Sequence, residues 1–329
     1  MKKFSIILPV YNGGNYVKEC VNSILAQSVQ EFDLCVIDNN SKDGTVQWLQ
    51  SINDERLKVF PYKQTVPIEQ NWARIKELPK NEFITLIGHD DILYPHYLDE
   101  INRLIEKHPQ ASLYQAHYQY VDGKGNPLRP CLPMDEVQYA HEFLACHMLR
   151  TMESMGTGYM MRSKDYDVLG GMPTNYPNLI FADYELWIRL SAISYKATTL
   201  KECFAYRLHQ NVSKLTVGEE YIKAFDQYIS LLKNLREKER FNEVIDRYGK
   251  DFLLYYCQSL SHRLLRMPRN KRTLTVKQYI SHCRQYAEAL IPGQSFEPLS
   301  KPLTKIAQQL DYNMLGRQVF ALYQKIKRR

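Results

Sequence analysis

The chain has 329 residues, of which 44% are hydrophobic and 24% are charged, and its formal net charge is +7. This composition is that of a globular chain long enough for one large domain and one smaller domain. The net charge is too small to predict a nucleic-acid partner. No apolar stretch reaches the roughly 18 residues of a membrane-spanning helix, and the N-terminus leads straight into a strand, so we expect neither a membrane span nor a signal peptide.

The seven cysteines are an odd number, and no two of them form a Cys-x-x-Cys pair. This pattern argues against a disulfide framework and against a zinc site. We therefore expect the protein to work in the reducing cytoplasm.

Residues 4 to about 120 alternate short β-branched segments with amphipathic segments, which predicts a βα repeat. The predicted strands are Phe4–Val10, Phe32–Ile37, Leu57–Phe60 and Glu82–Ile87. The predicted helices are Asn15–Ala26, Thr45–Ile52, Pro67–Leu78 and Pro95–Lys107. Because the connections are short, we expect an α/β fold with an open, doubly wound, mostly parallel sheet and a functional site at the carboxyl ends of the strands.

The second half of the chain has a different character. Residues 121–180 are irregular apart from a predicted strand at 157–162, and residues 181–191 predict a helix. From about residue 215, aromatic and aliphatic residues recur only at helical spacing. We predict a domain of residues 1–214 and an appended helical domain of residues 215–329.

Two adjacent carboxylates, Asp90 and Asp91, follow directly after the predicted strand that ends at Ile87. Carboxylates at the carboxyl edge of a strand can hold a hard divalent cation against the phosphates of a ligand. The alternative is that Asp91 caps a helix opened by Pro95. Both readings remain open from these residues alone.

Two further loops are predicted to meet the same edge. In the first, Tyr11 follows Pro9 and could stack on a base, although a turn with a packed tyrosine is the alternative. In the second, Asp38 ends a strand and could accept a hydrogen bond from a base or ribose. Neither loop has the G-x-G-x-x-G or G-x-x-x-x-G-K-[ST] pattern, so hydride transfer and P-loop hydrolysis lose support.

Four segments in order resemble the signatures of the family 2 glycosyltransferases, and the resemblance covers residues 4–214. These segments are Ile7–Asn12, Ile37–Thr45, Asp90–Pro95 and Ala182–Leu190. The resemblance implies a GT-A fold and an inverting transfer of sugar from a nucleotide-sugar donor. The acceptor it implies is a glycan or a lipid-linked glycan in surface polysaccharide biosynthesis.

The resemblance also implies site residues. It assigns a divalent metal, Mn²⁺ or Mg²⁺, to Asp90 and Asp91, without deciding which of them contacts the metal and which the ribose. The implied nucleotide-binding residues are Pro9, Tyr11, Asn12, Asp38, Asn71 and Asp90. Gly88 departs from the family pattern, because many relatives have the first acid of an Asp-x-Asp motif there.

By the same matching, Asp183 is the base that removes the proton of the acceptor hydroxyl. Its alternative role is that of an acid near a helix N-terminus, which the helix dipole favours. Relatives often carry another acid just before it, where this chain has Ala182, so Glu185 is the reserve candidate.

Further along, Tyr206–Ser213 is similar to the closing segment of the family, whose histidine reaches the metal or the diphosphate. This assigns His209 as a third metal ligand. Arg207 and Lys214 could serve the same phosphate. A lone histidine is also often structural.

The C-terminal residues 315–329 have an apolar stripe at helical spacing and end in the cationic segment Lys325–Arg329. Such a helix could lie on an anionic membrane surface, which would make the protein peripheral to the cell membrane. The alternative is that the helix packs on the protein with a solvated basic tip.

Two rival functions remain from the sequence. A nucleotidyltransferase also places acidic metal ligands at a sheet edge, but it needs a basic loop after the first strand, and Tyr11–Gly14 lacks Arg and Lys. A catalytically inactive relative that acts as a nucleotide-binding scaffold is the second, because Gly88 and Ala182 depart from the family pattern.

Overall fold

The computed structural model describes residues 2–208, 216, 218–313, 315–318 and 320. The chain divides into two compact units. The first consists of residues 1–143, 151–175 and 182–211, and the second of residues 144–150, 176–181 and 212–329.

The strands of the described residues belong to one sheet. They are β1 Phe4–Val10, β2 Phe32–Asp38, β3 Leu57–Pro61, β4 Phe83–Leu86, β5 Ile92–Leu93, β6 Leu113–Val121, β7 Pro127–Pro130, β8 Val137–Gln138, β9 Tyr159–Arg162 and β10 Lys196–Arg207. Their order is β3-β2-β1-β4-β9-β6-β10-β5, with β7 paired to β6 and β8 to β10. Strands β3, β2, β1 and β4 are mutually parallel, whereas β9 runs antiparallel to both of its neighbours.

The helices are distributed over both units. They are α1 Gly14–Leu25, α2 Thr45–Gln50, α3 Ile68–Ala73, α4 Tyr97–Lys107, α5 Ala140–Leu149, α6 Ser163–Val168, α7 Ala182–Ser191, α8 Gly218–Leu235, α9 Glu239–Leu265, α10 Val276–Leu290 and α11 Pro302–Tyr312. Short 3₁₀ turns lie at Arg74–Glu77, Pro177–Leu179, Arg269–Lys271 and Pro298–Ser300.

The core of the first unit explains why β1 and β2 are mostly apolar along their whole length. Every residue of both strands is buried, as expected for parallel strands that are covered on both faces. Helix α1 contributes one apolar stripe to this core, formed by Val17, Cys20, Val21 and Ile24. Its charged residues Lys18 and Glu19 are exposed, so the helix is amphipathic at the period that the sequence predicts.

The second unit has an aromatic core. Phe225 of α8 stacks on Tyr256 of α9 with ring centroids 4.6 Å apart, and Phe181 stacks on Tyr228 at 5.1 Å. Phe252 packs against Phe225 from the same helix as Tyr256. The helical spacing of aromatic residues beyond residue 215 is thus the spacing of a buried helix–helix interface.

The predicted fold class is confirmed, with a mostly parallel sheet and a helical C-terminal region. Individual elements differ. The predicted helix Pro67–Leu78 is split, because α3 ends at Ala73 and a 3₁₀ turn follows. The long strands β6 and β10 were not predicted. No described helix is both long enough and apolar enough to span a membrane.

A buried ion pair in the second unit offers a test of its packing. Arg272 donates to the Asp311 carboxylate, and both side chains are almost completely buried. Asp311 also accepts a hydrogen bond of 2.7 Å from the Val276 amide at the start of α10. Asp311→Ala leaves a buried guanidinium without its charge partner, and we expect it to lower the free energy of unfolding by about 3–5 kcal/mol.

Urea unfolding followed by circular dichroism measures this loss. Glu220→Ala is the control, because it removes one partner of an exposed ion pair to Lys223 in the same unit, and such pairs contribute less than about 1 kcal/mol. Equal losses in the two variants would contradict the structural role of Asp311.

Candidate active site

Three loops meet at one edge of the sheet because β1 is parallel to both β2 and β4. The register pairs Val10 of β1 with Asp38 of β2, and Ile7 of β1 with Leu86 of β4. The loops that leave these three strands at their carboxyl ends are therefore neighbours, as expected for an open α/β sheet.

The first two loops are hydrogen-bonded to each other. The Asn12 amide donates to the Ser41 hydroxyl at 2.8 Å, and the Lys42 amide donates back to Asn12 Oδ1 at 2.8 Å. The Gly14 amide donates to Asp43 Oδ2 at 2.9 Å. Asn12 adopts a left-handed backbone with φ +48°, a conformation that asparagine tolerates better than most residues. Its side-chain oxygen therefore holds the two loops together.

The predicted base-contacting residues take different positions. Pro9 is buried within β1, whereas the Tyr11 side chain just beyond the strand is 46% exposed. The alternative of a packed tyrosine is thus wrong. An exposed aromatic ring at the end of a strand offers a flat apolar surface to a ligand.

Asp38 is a fully buried carboxylate with an unused acceptor. Its Oδ2 accepts a hydrogen bond of 3.0 Å from the Ser41 amide, while Oδ1 has no hydrogen-bond partner among the described residues. Buried polar atoms are rarely left unsatisfied in native proteins. An open acceptor at the carboxyl edge of the sheet is therefore a place where a ligand N–H or O–H would be stabilised.

Asn71 of α3 is buried and supports a neighbouring arginine. Arg74 donates to Asn71 Oδ1 at 2.9 Å and to the Asp38 carbonyl at 3.1 Å. Its guanidinium also lies over the Tyr62 ring, 4.4 Å from the centroid. The sequence analysis missed Arg74 and Tyr62. The spacing of Arg74 three residues after Asn71 on one predicted helix was the available signal.

The acidic pair lies in the loop between β4 and β5. Asp91 is 2% exposed, and its Oδ1 accepts a hydrogen bond of 2.9 Å from the Arg207 amide. Burial raises the pKa of Asp91 well above its ordinary value, and the nearby Asp90 charge adds to this shift. The helix-cap alternative is wrong, because β5 intervenes and α4 begins only at Tyr97.

Gly88 makes room for both carboxylates. A Cβ placed on Gly88 would lie 2.7 Å from Asp90 Oδ1 and 3.1 Å from Asp91 Oδ2. The two oxygens therefore converge on the space that any other side chain would fill. This pair of hard oxygen ligands fits Mg²⁺ or Mn²⁺.

In the described part of the chain, no group of three or more His, Cys, Asp or Glu residues is arranged around a common metal position. The predicted third ligand, His209, lies outside the described residues, as does Lys214. Asp90 and Asp91 are thus the described residues that would hold a cation.

Asp183 lies in the first turn of α7 and is partly buried. Its Oδ1 accepts a hydrogen bond of 2.9 Å from the Tyr184 amide. Burial raises the pKa of Asp183 to about 6, and the backbone hydrogen bonds offset only part of this effect. A carboxyl group with a pKa near neutrality is suited to proton transfer.

The segment 155–158 brings Asp183 close to the acidic pair. A Cβ on Gly156 would lie 3.9 Å from the Asp183 Cβ. The hydroxyl of the next residue, Thr157, accepts a bond of 3.1 Å from the Gly88 amide, and its interaction with Asp91 offsets part of the rise in the pKa of that carboxyl group. The neighbour of Asp183, Gly156, and the neighbour of Asp91, Thr157, are thus consecutive residues of the chain.

The reserve candidate Glu185 faces a different partner. It forms an ion pair of 3.4 Å with Arg189 one helical turn further along α7. Trp187 anchors the helix, because its Nε1 donates to the Met155 carbonyl at 3.1 Å and its ring stacks on Tyr159 at 4.3 Å. The contacts of α7 with segment 155–158 therefore fix the position of Asp183.

A sequence comparison identifies the family. The family model described as "Glycosyl transferase family 2" matches residues 5–173, slightly more than half of the chain. The chain belongs to glycosyltransferase family 2. An uncharacterised glycosyltransferase of Rickettsia conorii is 31% identical over 199 residues, which are 58% of this chain and 31% of that protein. The chain thus spans about a third of the length of this relative.

Solved structures with a similar fold bind nucleotide sugars. S. aureus TarS 1–349 in complex with UDP-GlcNAc has a TM-score of 0.67 and 14% identity, over 99% of this chain and 92% of TarS 1–349. The Pyrobaculum calidifontis mannosyltransferase PcManGT, in complex with GDP-Man and Mn²⁺, has a TM-score of 0.54 and 12% identity, over 98% and 88% of the two chains. At this identity the likeness shows the GT-A fold.

The raised pKa of Asp183 predicts a pH-dependent cost of folding. An ordinary aspartate has a pKa of 3.8, so the unfolded chain loses this proton at lower pH than the folded glycosyltransferase does. Stability therefore falls as the pH rises from about 4 through about 6. Asp183→Asn removes the titration, and we expect its stability relative to the unmodified chain to increase between about pH 4 and pH 8.

Chemical unfolding of both proteins at the two pH values measures this difference. Asp99→Asn on α4, which removes a partly exposed carboxylate, is the control. A stability difference that does not change with pH would show that Asp183 titrates like an ordinary aspartate.

Proposed function

We propose that this glycosyltransferase moves a sugar from a nucleotide-sugar donor to a hydroxyl of a glycan or lipid-linked acceptor, with inversion at the anomeric carbon. The observation that carries the proposal is the position of Asp183. Burial raises the pKa of this carboxyl group to about 6, and the residue packs beside Gly156, the chain neighbour of Thr157, which lies at the Asp90–Asp91 loop.

The donor nucleotide would lie across the first two loops. In this arrangement the exposed ring of Tyr11 stacks on the base, and Asp38 Oδ1 accepts a hydrogen bond from a ring N–H of the base. Uracil and guanine carry such a ring N–H, whereas adenine and cytosine do not. The UDP-GlcNAc and GDP-Man complexes of the structural neighbours agree with this chemistry. Pro9, Asn12 and Asn71 would support this surface from the protein side.

The diphosphate would lie against Asp90 and Asp91. A divalent cation bound there neutralises charge on the leaving diphosphate. The convergence of the two carboxylates over Gly88 supports this role, and so does the Mn²⁺ in the PcManGT complex. His209, which lies outside the described residues, is proposed as a third ligand on the resemblance alone.

Asp183 would act on the acceptor. Its ionised carboxylate takes the proton of the acceptor hydroxyl while that oxygen forms a bond to the anomeric carbon. The bond from the anomeric carbon to the diphosphate oxygen breaks on the opposite face, which inverts the configuration. Contacts between α7 and segment 155–158 fix the position of the Asp183 carboxylate, so this catalytic base needs less reorganisation to reach the transition state.

The rival functions are less well supported. A nucleotidyltransferase would need cations in the Tyr11–Gly14 loop, and it would have no use for a raised pKa at Asp183. An inactive scaffold would gain nothing from a carboxyl group that lowers stability at neutral pH.

We further propose that residues 1–214 form the transferase domain and residues 215–329 an appended helical domain. Binding of the terminal basic segment to an anionic membrane, as a peripheral protein, stays a proposal, because residues 321–329 lie outside the described part of the chain.

Asp183→Asn tests the base. We expect transfer to fall at least about a hundredfold, because general-base catalysis commonly contributes 10²–10⁴, while binding of the donor changes only a few-fold. For the unmodified enzyme, kcat/KM should rise with pH through about 6, the range in which Asp183 becomes ionised. Steady-state rates with a donor and acceptor found by screening, together with calorimetry of donor binding, provide both measurements.

Glu185→Gln is the matched control on the same helix turn. It should keep most of the activity, because Glu185 is engaged by Arg189. If Asp183→Asn turned over at a near-normal rate and Glu185→Gln did not, the base would be Glu185.

The acidic pair is tested through nucleotide binding instead of turnover. Asp90→Ala or Asp91→Ala should weaken binding of the free nucleoside diphosphate and reduce its dependence on Mn²⁺. Gly88→Ala should act in the same direction with both acids present, since a Cβ there meets both carboxylates. Calorimetry with UDP and GDP, each with and without Mn²⁺, measures this. Unchanged affinity and metal response in all three variants would remove the metal and nucleotide roles from the pair.

A further inference from the structure

Arg207 is an arginine enclosed by the protein directly beside the acidic pair. It is the last residue of β10 and is 1% exposed. Strands β10 and β5 are antiparallel, with Ala205 opposite Ile92. Arg207 lies two residues after Ala205, and Asp90 lies two residues before Ile92, which are matching offsets from this antiparallel pair. The sheet register thus places Arg207 beside the loop that carries Asp90 and Asp91.

Four contacts tie Arg207 to its surroundings, and two of them go to the acidic pair. Its backbone amide donates to Asp91 Oδ1 at 2.9 Å, and its Nε donates to the Asp90 carbonyl at 2.8 Å. Its guanidinium nitrogens donate to the Gly123 carbonyl at 3.2 Å and to the Glu19 carboxylate at 2.5 Å. One residue therefore holds both members of the acidic pair.

The remaining surface of the guanidinium is also engaged by the protein. It lies over the Tyr16 ring of α1, 4.7 Å from the centroid, and the Tyr16 hydroxyl donates to the same Gly123 carbonyl. Three of the five guanidinium N–H groups thus donate to protein acceptors, the Tyr16 ring covers one face, and the residue is 1% exposed. The expectation that Arg207 contacts a ligand phosphate is wrong for this arrangement.

Stability alone is a poor reason for this arrangement. The carboxylate partner, Glu19, has a side chain that is 52% exposed, whereas the Arg207 side chain is 1% exposed. Burying a charge carries a large desolvation cost, and an apolar residue of similar size often serves a core equally well. The arginine instead supplies fixed donors to the loop that carries Asp90 and Asp91.

We propose that Arg207 is a positioning residue that sets the direction of the Asp90 and Asp91 carboxylates for binding a metal–diphosphate group. This inference rests on the proposed function of the pair. The Arg207 side chain acts through the Asp90 carbonyl, and its backbone amide acts through the Asp91 carboxylate. Loss of the side chain leaves both acids present but frees the loop to turn, so the cation loses preorganised ligands.

Arg207→Met and Arg207→Lys test this inference in the full chain. Calorimetry measures the affinity for UDP and for GDP with and without Mn²⁺, and the ratio of the two affinities for each nucleotide is the metal-assisted gain. Calorimetry with Mn²⁺ alone measures the affinity for the metal as a second readout. We expect Arg207→Met to reduce the metal-assisted gain about tenfold or more while metal-free nucleotide affinity changes less than about threefold. Lysine keeps the charge but has a single ammonium nitrogen in place of the planar guanidinium, so Arg207→Lys should recover only part of the gain.

Arg162→Met is the matched control for a purely structural effect. Arg162 also bridges backbone carbonyls, those of Pro109 and Ala111, and also lies over an aromatic ring, that of Phe83. None of these contacts involves the acidic pair. We expect this variant to lower the unfolding temperature and to leave the metal-assisted gain unchanged.

The outcomes separate the inference from the proposed function. If the unmodified chain binds neither UDP nor GDP under any condition, the proposed function fails first. If it binds with Mn²⁺ assistance and Arg207→Met keeps the full gain, the positioning role is refuted. A variant of Arg207 that loses metal-free and metal-assisted affinity in equal proportion, together with its thermal stability, would also refute it and leave Arg207 a structural residue.

Discussion

Burial of the Asp91 carboxylate is the constraint to which the surrounding residues conform. A buried carboxylate is costly unless hydrogen-bond donors surround it. The Arg207 amide at the end of β10 provides one such donor, and Thr157, in the segment before β9, offsets part of the rise in the pKa of Asp91. Because Gly88 has no side chain, the Asp91 carboxylate has room beside it. The same Thr157 follows Gly156, the neighbour of Asp183, so satisfying one acid also fixes the place of the other.

Sequence alone was sufficient for the parallel half of the sheet. The strands β1 and β2 are covered on both faces, and their mostly apolar sequences carry that information locally. The strands β6 and β10 carry no such signal. Strand β10 includes Lys201 and Glu202 next to register shifts against β6, so its residues alternate between environments that no simple period describes.

The candidate site divides in a similar way. Residues at the ends of predicted strands, such as Asp38 and Asp91, were found because the chain direction of a parallel sheet locates its carboxyl edge. Residues that support them were either missed, as Arg74 was, or given another role, as Arg207 was. The contact between Arg207 and Asp91 joins positions 116 residues apart, and it depends on a strand register that local patterns do not encode. The role of base was assigned to Asp183 from the resemblance to a family, because its helix alone predicts only an ordinary acid near a helix N-terminus.

The hydrogen bonds between the first two loops bear on how the proposed nucleotide site could be redesigned. The Asn12 amide donates to the Ser41 hydroxyl, the Asn12 side-chain oxygen accepts from the Lys42 amide, and the Gly14 amide donates to Asp43. Neither loop can therefore be exchanged alone without leaving broken partners in the other. A graft from a relative with another nucleotide preference would have to carry residues 11–14 and 38–45 together. These two stretches should be exchanged as one unit. A chimaera whose crossover lies between them should yield misfolded loops more often than new specificities.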